Sequence, residues 1–379
     1  MIKFFSLIAS VALLVAPTLV SSAFVGTDGT KFTQGSDSFY FAGTNAYYLM
    51  TSSQTDVDTV FSAANKAKLP VIRTWMYNLG TDDVWFQQWD SQAKTMKIND
   101  DIKTGLGRMD YVLQQAAKNN IKLILTLNNN WSDYGGMDYY VKHFGGKNHD
   151  EFYTHEKMIG SFKAYIEHVA NRTNTLTGTK YSDDETIFAW EIANEPRCNG
   201  SEGFPASDNC NSKVTTAWID NISSFIKSID SNHLVAVGDE GFFNRPGQTD
   251  FEYSGDSGMD FEATLALKNI DFGTFHIYTE DWGHDVQWGT QYLKDHIKAQ
   301  KDIGKPVLLE EYGMETPDER KTVFPEWQKL VETENLAGDT FWQIAVPCTE
   351  MDHFAICPND TDFSTLVGDH ALKMAAKVN

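Results

Sequence analysis

Positive charge is scarce in this 379-residue chain: 31 Lys and Arg stand against 52 Asp and Glu, a formal net charge of −21. A chain that grips a phosphate backbone needs a basic face, so this balance excludes nucleic-acid binding. Cysteine is scarce too, at four residues, and none has the CxxC or histidine-clustered spacing of a zinc site. No metal and no cofactor are therefore expected. After the first twenty residues no apolar run is long enough to cross a bilayer. Ser- and Pro-rich linkers are absent as well, which argues against an appended binding module.

What the chain does have is apolar and aromatic mass, 41% and 13% of residues, enough for one large core despite the net charge. At the N-terminus Lys3 precedes an apolar run from Phe4 to Val20 and a small-residue site at Ser21-Ser22-Ala23. That is the pattern of a secretory signal peptide over 1–23, leaving a mature, extracellular chain of 24–379. A membrane anchor is the competing reading, and Pro17 together with the cleavage-type site weighs against it. In a secreted chain four cysteines favour disulfides. Of three possible pairings, the short separations favour Cys198 with Cys210 and Cys348 with Cys357. Sequons at Asn171, Asn199, Asn221 and Asn359 allow N-glycosylation, whereas the one at Asn130 falls too near the expected site.

Residues 24–34, rich in Gly, Thr and Asp, read as a small hairpin capping the bottom of the fold. Eight strand candidates follow: 39–49, 71–78, 122–130, 187–196, 234–241, 271–278, 306–313 and 339–346. Helical periodicity lies between them, as in Met109, Val112, Leu113 and Ala116, or Phe162, Tyr165, Ile166 and Val169. Strand and helix alternating in this way predict an α/β fold, a (β/α)8 TIM barrel.

The fourth candidate, Ile187 to Pro196, is an apolar run that stops at Asn194-Glu195-Pro196. Pro196 cannot donate to a ladder and ends it, placing Glu195 where barrel side chains converge on the open C-terminal face. Taken alone, Glu195 could equally belong to a loop salt bridge. The seventh candidate also runs into carboxylates, Glu310-Glu311-Tyr312-Gly313. Two glutamates at two strand exits suit a glycosidase, in which one carboxyl protonates the leaving oxygen and the other is nucleophile or base. Neighbours on a strand face opposite ways, so one of Glu310 and Glu311 is expected to enter the mouth. Glu191 shares the parity of Glu195 and lies deeper, as a buried paired carboxylate.

Other strand exits carry Arg73, Trp75 and Tyr77; Asn128, Asn129, Asn130 and Trp131; His276 and Tyr278; and Trp342. With Ile72-Arg73-Thr74-Trp75, Asn129-Asn130-Trp131 through Gly136, Ala193 through Cys198, His276-Ile277-Tyr278 with Trp282, and Glu310 through Gly313 in this order, the chain resembles glycoside hydrolase family 5 over its whole mature length. Within that family it is most similar to the endo-β-1,4-mannanases. The resemblance implies Glu195 as acid/base and Glu311 as nucleophile of a retaining mechanism. It implies Arg73, Trp75, Asn129, Trp131, Asn194, Arg197, His276, Tyr278, Trp282 and Trp342 as substrate-binding residues. It also implies a sugar platform at Trp342, with a cis peptide to Gln343, and β-mannan as the substrate; a monomer is expected, although nothing in the residues fixes the oligomeric state. Many cellulases of the family have a histidine after strand 3, whereas this chain has Asn128 to Asn130, as the mannanases do.

Three alternatives stand beside this reading. A β-1,4-glucanase would share fold and mechanism and differ only in how it treats the 2-hydroxyl. A glycan-binding barrel without catalysis would be expected to lack one carboxylate. A metal-dependent hydrolase would need ligand spacing that His143, His149 and His155 do not have.

Overall fold

A computed structural model describes residues 23–80, 82–200, 203–348 and 352–377. The expected signal peptide, apart from Ala23, lies outside the described residues. Eight parallel strands form one sheet: β1 (Phe41–Asn45), β2 (Val71–Trp75), β3 (Lys122–Thr126), β4 (Ile187–Glu191), β5 (Leu234–Ala236), β6 (Gly273–Ile277), β7 (Val307–Tyr312) and β8 (Gly338–Phe341). Each pairs with its sequence neighbours except that no ladder joins β5 to β6, and β8 pairs back onto β1. Backbone bonds from Asp271 N–H to Val235 O (2.8 Å) and from His276 N–H to Glu240 O (3.2 Å) join β5 to β6. The sheet thereby closes into the expected barrel, with one strand in each of the eight predicted segments.

Every strand residue except Lys122 is buried, because helices cover the outside and side chains fill the inside. The helical periodicity holds. Met109, Val112, Leu113 and Ala116 are buried on Gly107–Lys118, and Phe162, Tyr165, Ile166 and Val169 on Glu156–Asn171. Strands Val25–Asp28 and Lys31–Gln34 pair antiparallel as the expected hairpin. Its Phe32 is fully buried among Phe41, Phe188 and Phe272, with ring centroids 5.0 to 5.8 Å apart. A plug of aromatic rings thus closes the barrel bottom and leaves the C-terminal end as the open one.

The ladder is irregular at two places, between β3 and β4 at Phe188 and between β6 and β7. On β7, Leu309 pairs with Phe275 and Glu311 with His276, so Glu310 is an extra residue in the ladder. Such a bulge re-aims a side chain. Glu310 does not face away from the barrel as alternation predicts. It is fully buried, 3.5 Å from Arg73 Nε and 3.3 Å from His276 Nε2.

Both expected disulfides are present, Cys198 to Cys210 and Cys348 to Cys357, with Cα separations of 5.5 and 5.7 Å. Among the described residues, no helix is long and apolar enough to cross a membrane.

Candidate active site

Beyond Glu191 the chain leaves the regular ladder but stays pinned between its neighbours. Ile192 and Ala193 donate their N–H groups to Ala236 O and Val237 O, and Asn194 donates to Asn128 O. Glu195 N–H then donates to Gly238 O at 2.7 Å. Gly238 has φ +88°, and a Cβ there would lie 2.3 Å from Ala193 O, so only glycine permits this approach. Glu195 itself is left-handed, at φ +50°. An unfavourable backbone held by this many partners is the kind of strain found at functional positions.

The carboxyl of Glu195 is held at both oxygens. Oε1 lies 2.7 Å from His276 Nδ1, and Oε2 accepts from the Trp131 indole N–H. Glu311 is held likewise: Arg73 Nη1 donates to Oε1, and the Tyr278 hydroxyl donates to Oε2 at 2.7 Å. One oxygen of Glu195, one of Glu311 and a ring nitrogen of His276 all lie within 4.8 Å of one another. The two carboxyls therefore face one small space.

Arg73 and His276, expected among the substrate-binding residues, are fully buried beneath these carboxylates. With no exposed surface, both side chains make their contacts with neighbouring protein groups. Arg73 reaches Glu191 through Nε and Nη2 (2.9 and 2.8 Å), Asn194 Oδ1 through Nη2 (2.7 Å) and Asn45 Oδ1 through Nη1 (3.2 Å). Glu191 is the buried paired carboxylate expected of it. The other ten predicted residues, Trp75, Asn129, Trp131, Asn194, Glu195, Arg197, Tyr278, Trp282, Glu311 and Trp342, line one cleft of about 670 Å³.

His276 sets the charge of these carboxyls as much as they set each other's. Repulsion from Glu311 would by itself favour a protonated Glu195. Burial does push the Glu195 carboxyl up, but the hydrogen bond and charge of His276, with Arg197 and Trp131, outweigh it and hold the group at about 2. Burial disfavours a charged His276, yet Glu311 and Glu195 around it raise its pKa well above the ordinary value. Glu311 is raised by burial and by the charge of Glu195, against the pull of His276, Arg73 and Tyr278. These interactions favour an ionised Glu195 beside a charged His276, joined by one hydrogen bond.

Two aromatic groups flank the carboxylates. On the β8, β1 and β2 side, Trp342 stacks on Tyr47 with centroids 5.4 Å apart and planes 1° from parallel, and Trp75 lies 6.3 Å away. The Trp342-Gln343 peptide is cis, as the resemblance implied. On the β3 to β6 side, the Arg197 guanidinium lies over Trp131 (4.8 Å) and Phe242 (5.2 Å), and Phe242 meets Trp282 edge-on.

Several contributors escaped the sequence reading. Glu240, after β5, pairs with Arg197, and Tyr47, after β1, backs Trp342. Both sit at predicted strand exits, so the same signal that marked their neighbours could have found them. Asp352 and Phe354 come from the loop bridged by Cys348 and Cys357, where no periodicity marks them. Asp352 accepts from the Trp342 indole and the Gln343 amide, both at 2.9 Å. The histidine-bearing segment serves the cleft indirectly: buried His149 spans Asp138 (2.6 Å) and Asn130 (2.9 Å). Asn130 is itself fully buried, which leaves no room for a glycan on it in the folded chain.

Residues 22–349 match the model of the β-mannosidase-like proteins of glycoside hydrolase family 5. A mannan endo-1,4-β-mannosidase F of Aspergillus fumigatus is 40% identical over 362 residues, covering 92% of this chain and 78% of that protein. The crystal structure of an endo-1,4-β-mannanase from Rhizomucor miehei superposes with a TM-score of 0.93 at 63% identity, covering 94% of this chain and all of that one. A hyperthermostable endo-1,4-β-D-mannanase from Thermotoga petrophila gives 0.81 at 35% identity, with 88% and 99% covered.

Proposed function

The chain belongs to the β-mannosidase-like proteins of glycoside hydrolase family 5, and from that premise we propose that it is a secreted enzyme cleaving internal β-1,4-mannosidic bonds by a retaining double displacement. The observation that carries the mechanism is the approach of Glu195 and Glu311, with carboxyl oxygens within 4.8 Å. Retaining glycosidases hold their carboxyls ~5 to 5.5 Å apart, whereas inverting ones leave ~6.5 to 9.5 Å for a water.

In this reading Glu311 is the nucleophile. Arg73 and Tyr278 each hold one of its oxygens, so its attack on the anomeric carbon has a defined direction. Glu195 takes the proton resting on His276 and gives it to the leaving oxygen, then accepts a proton from the water that hydrolyses the glycosyl-enzyme. Asn194 spends its carbonyl oxygen on Arg73 and one amide hydrogen on Asn129. One amide hydrogen remains for the sugar 2-hydroxyl, a contact that strengthens toward the oxocarbenium-like transition state.

Substrate class and endo action rest on different support. Aromatic groups on both sides of the carboxylates allow a polysaccharide to run through the cleft in both directions, which suits attack on internal bonds. The relatives at 40% and 63% identity carry mannan-cleaving names, and mannan comes to this chain from them. Secretion is supported by the signal-like N-terminus and by two disulfides.

The test is hydrolysis of galactomannan and of neutral hydroxyethyl-cellulose by one purified sample, with Glu311→Ala as the blank. Oligosaccharides from galactomannan alone are expected. Equal products from the cellulose would make the enzyme a broader glucanase, and none from either would leave a glycan-binding barrel.

A further inference from the structure

The strand bulge on β7 brings a third carboxyl to His276. Glu310 Oε2 lies 3.3 Å from His276 Nε2, on the opposite side of the ring from Glu195. Both side chains are fully buried; among the described residues Glu310 Oε1 accepts from no donor, and Glu310 shares a hydrogen bond with Glu191. A carboxyl turned inward at the cost of a regular ladder, in contact with the ring that touches the acid/base, has a geometric relation to the chemistry that burial alone does not explain.

We infer that Glu310 is a positioning residue which holds the Nε2 proton of His276, so that the only proton this ring can release is the one on Nδ1, toward Glu195. The inference rests on Glu195 being the acid/base. In the glycosylation step the Nδ1–H bond breaks as an O–H bond forms at Glu195 Oε1, and Glu195 passes its proton to the glycosidic oxygen as the C–O bond cleaves. The imidazole left behind is neutral and keeps its proton on Nε2, donated to Glu310. Deglycosylation returns a proton from water to Glu195, and from there to Nδ1. Without an acceptor at Nε2 the neutral ring is free to carry its proton on either nitrogen.

Several charged groups face this ring. Arg73 comes from β2 and Glu191 and Glu195 from β4 and its extension. Asp239 and Glu240 follow β5, and Glu310 and Glu311 lie on β7. Among them only Glu310 is placed at Nε2 within 4.0 Å. Removing it therefore changes one contact of the ring and leaves those at Nδ1.

The experiment compares Glu310→Gln and Glu310→Met with wild type and with Glu195→Ala. Substrates are mannohexaose, whose leaving group must be protonated, and a dinitrophenyl mannobioside, whose leaving group need not be. Glu310→Gln keeps a carbonyl acceptor and is expected to stay within about threefold of wild type on both. Glu310→Met is expected to lose at least about tenfold more on mannohexaose than on the aryl substrate, with the basic limb of its kcat/KM profile moved to lower pH. Equal losses on both substrates with an unmoved pH profile, or wild-type behaviour of the Met variant, would overturn the inference. Glu195→Ala separates the two layers: if it shows no leaving-group dependence, the acid/base assignment itself fails. Should Glu310→Met not fold, nitrogen NMR of the wild-type His276 ring decides. A proton on Nε2 in the free enzyme is expected, and a bare Nε2 lone pair overturns the proposal.

Discussion

The indole N–H of Trp131 donates to Glu195 Oε2 while His276 holds Oε1 of the same carboxyl. A ring expected only to line the cleft thus also acts on the acid/base. Hydrogen bonds to a carboxylate favour its ionised form, so losing one raises the pKa. Trp131→Phe should therefore move the basic limb of the kcat/KM profile to higher pH, the limb along which Glu195 and His276 lose their shared proton. The loss at the optimum should stay below the roughly 10²-fold that removal of a general acid costs. A profile displaced to lower pH would contradict the assignment.

Arg73 and Glu191 are both fully buried and joined by two bonds of 2.8 and 2.9 Å. Truncating one partner of such a pair leaves an uncompensated charge and costs about 3 to 5 kcal/mol. Arg73→Met is expected to destabilise by that order in denaturant titration. The double variant Arg73→Met with Glu191→Gln should recover part of it, and strict additivity of the two single changes would show that the pair is not coupled.

Cys198 and Cys210 close a loop with a sequence separation of 12, directly after Arg197. In the chain-entropy model a loop of this size is worth about 3 kcal/mol. Replacing both cysteines by serine should lower stability by that order and raise KM more than it lowers kcat, since Arg197 lines the cleft and Glu195 is pinned independently through Gly238. Steady-state kinetics on mannohexaose checks the split.

His370 ties the C-terminal helix Asp369–Ala375 to the barrel, with Nδ1 2.8 Å from Glu332 and Nε2 2.7 Å from Asp339. Burial opposes its charge, but Asp339 and Glu332 outweigh burial and raise its pKa above the ordinary value. A group raised on folding stabilises fully below its unfolded pKa of about 6.5 and loses that contribution as pH rises through the folded value. The stability gap between wild type and His370→Gln should thus be largest below pH ~6.5, at about 2 kcal/mol, and shrink in alkaline buffer. Melting curves from pH 5 to 9 test it, and a gap that grows with pH would reverse the assignment.

Pattern alone carried the fold a long way. Eight apolar runs with helical periodicity between them have essentially one closed solution, because each element must bury one face against another. Strand exits marked Glu195, Glu311 and the cleft aromatics for the same reason, since a barrel sends those positions to its open end. Local chain chemistry also predicted both disulfides and the hairpin that seals the bottom.

What the tertiary structure alone decided depends on where side chains end up relative to one another. Alternation along β7 assigns Glu310 to the outside, and one inserted residue in the pairing turns it inward against Arg73 and His276. The charge balance around the two carboxylates follows from distances between residues as far apart in sequence as Glu195 and Glu311, with His276 between them in space. Residue order therefore determined which groups reach the mouth of the barrel, through the period-two geometry of its strands. Which of them is charged, which is buried as support and which meets the sugar was decided only in the folded molecule, because electrostatic coupling and desolvation depend on separation and burial that no local pattern encodes.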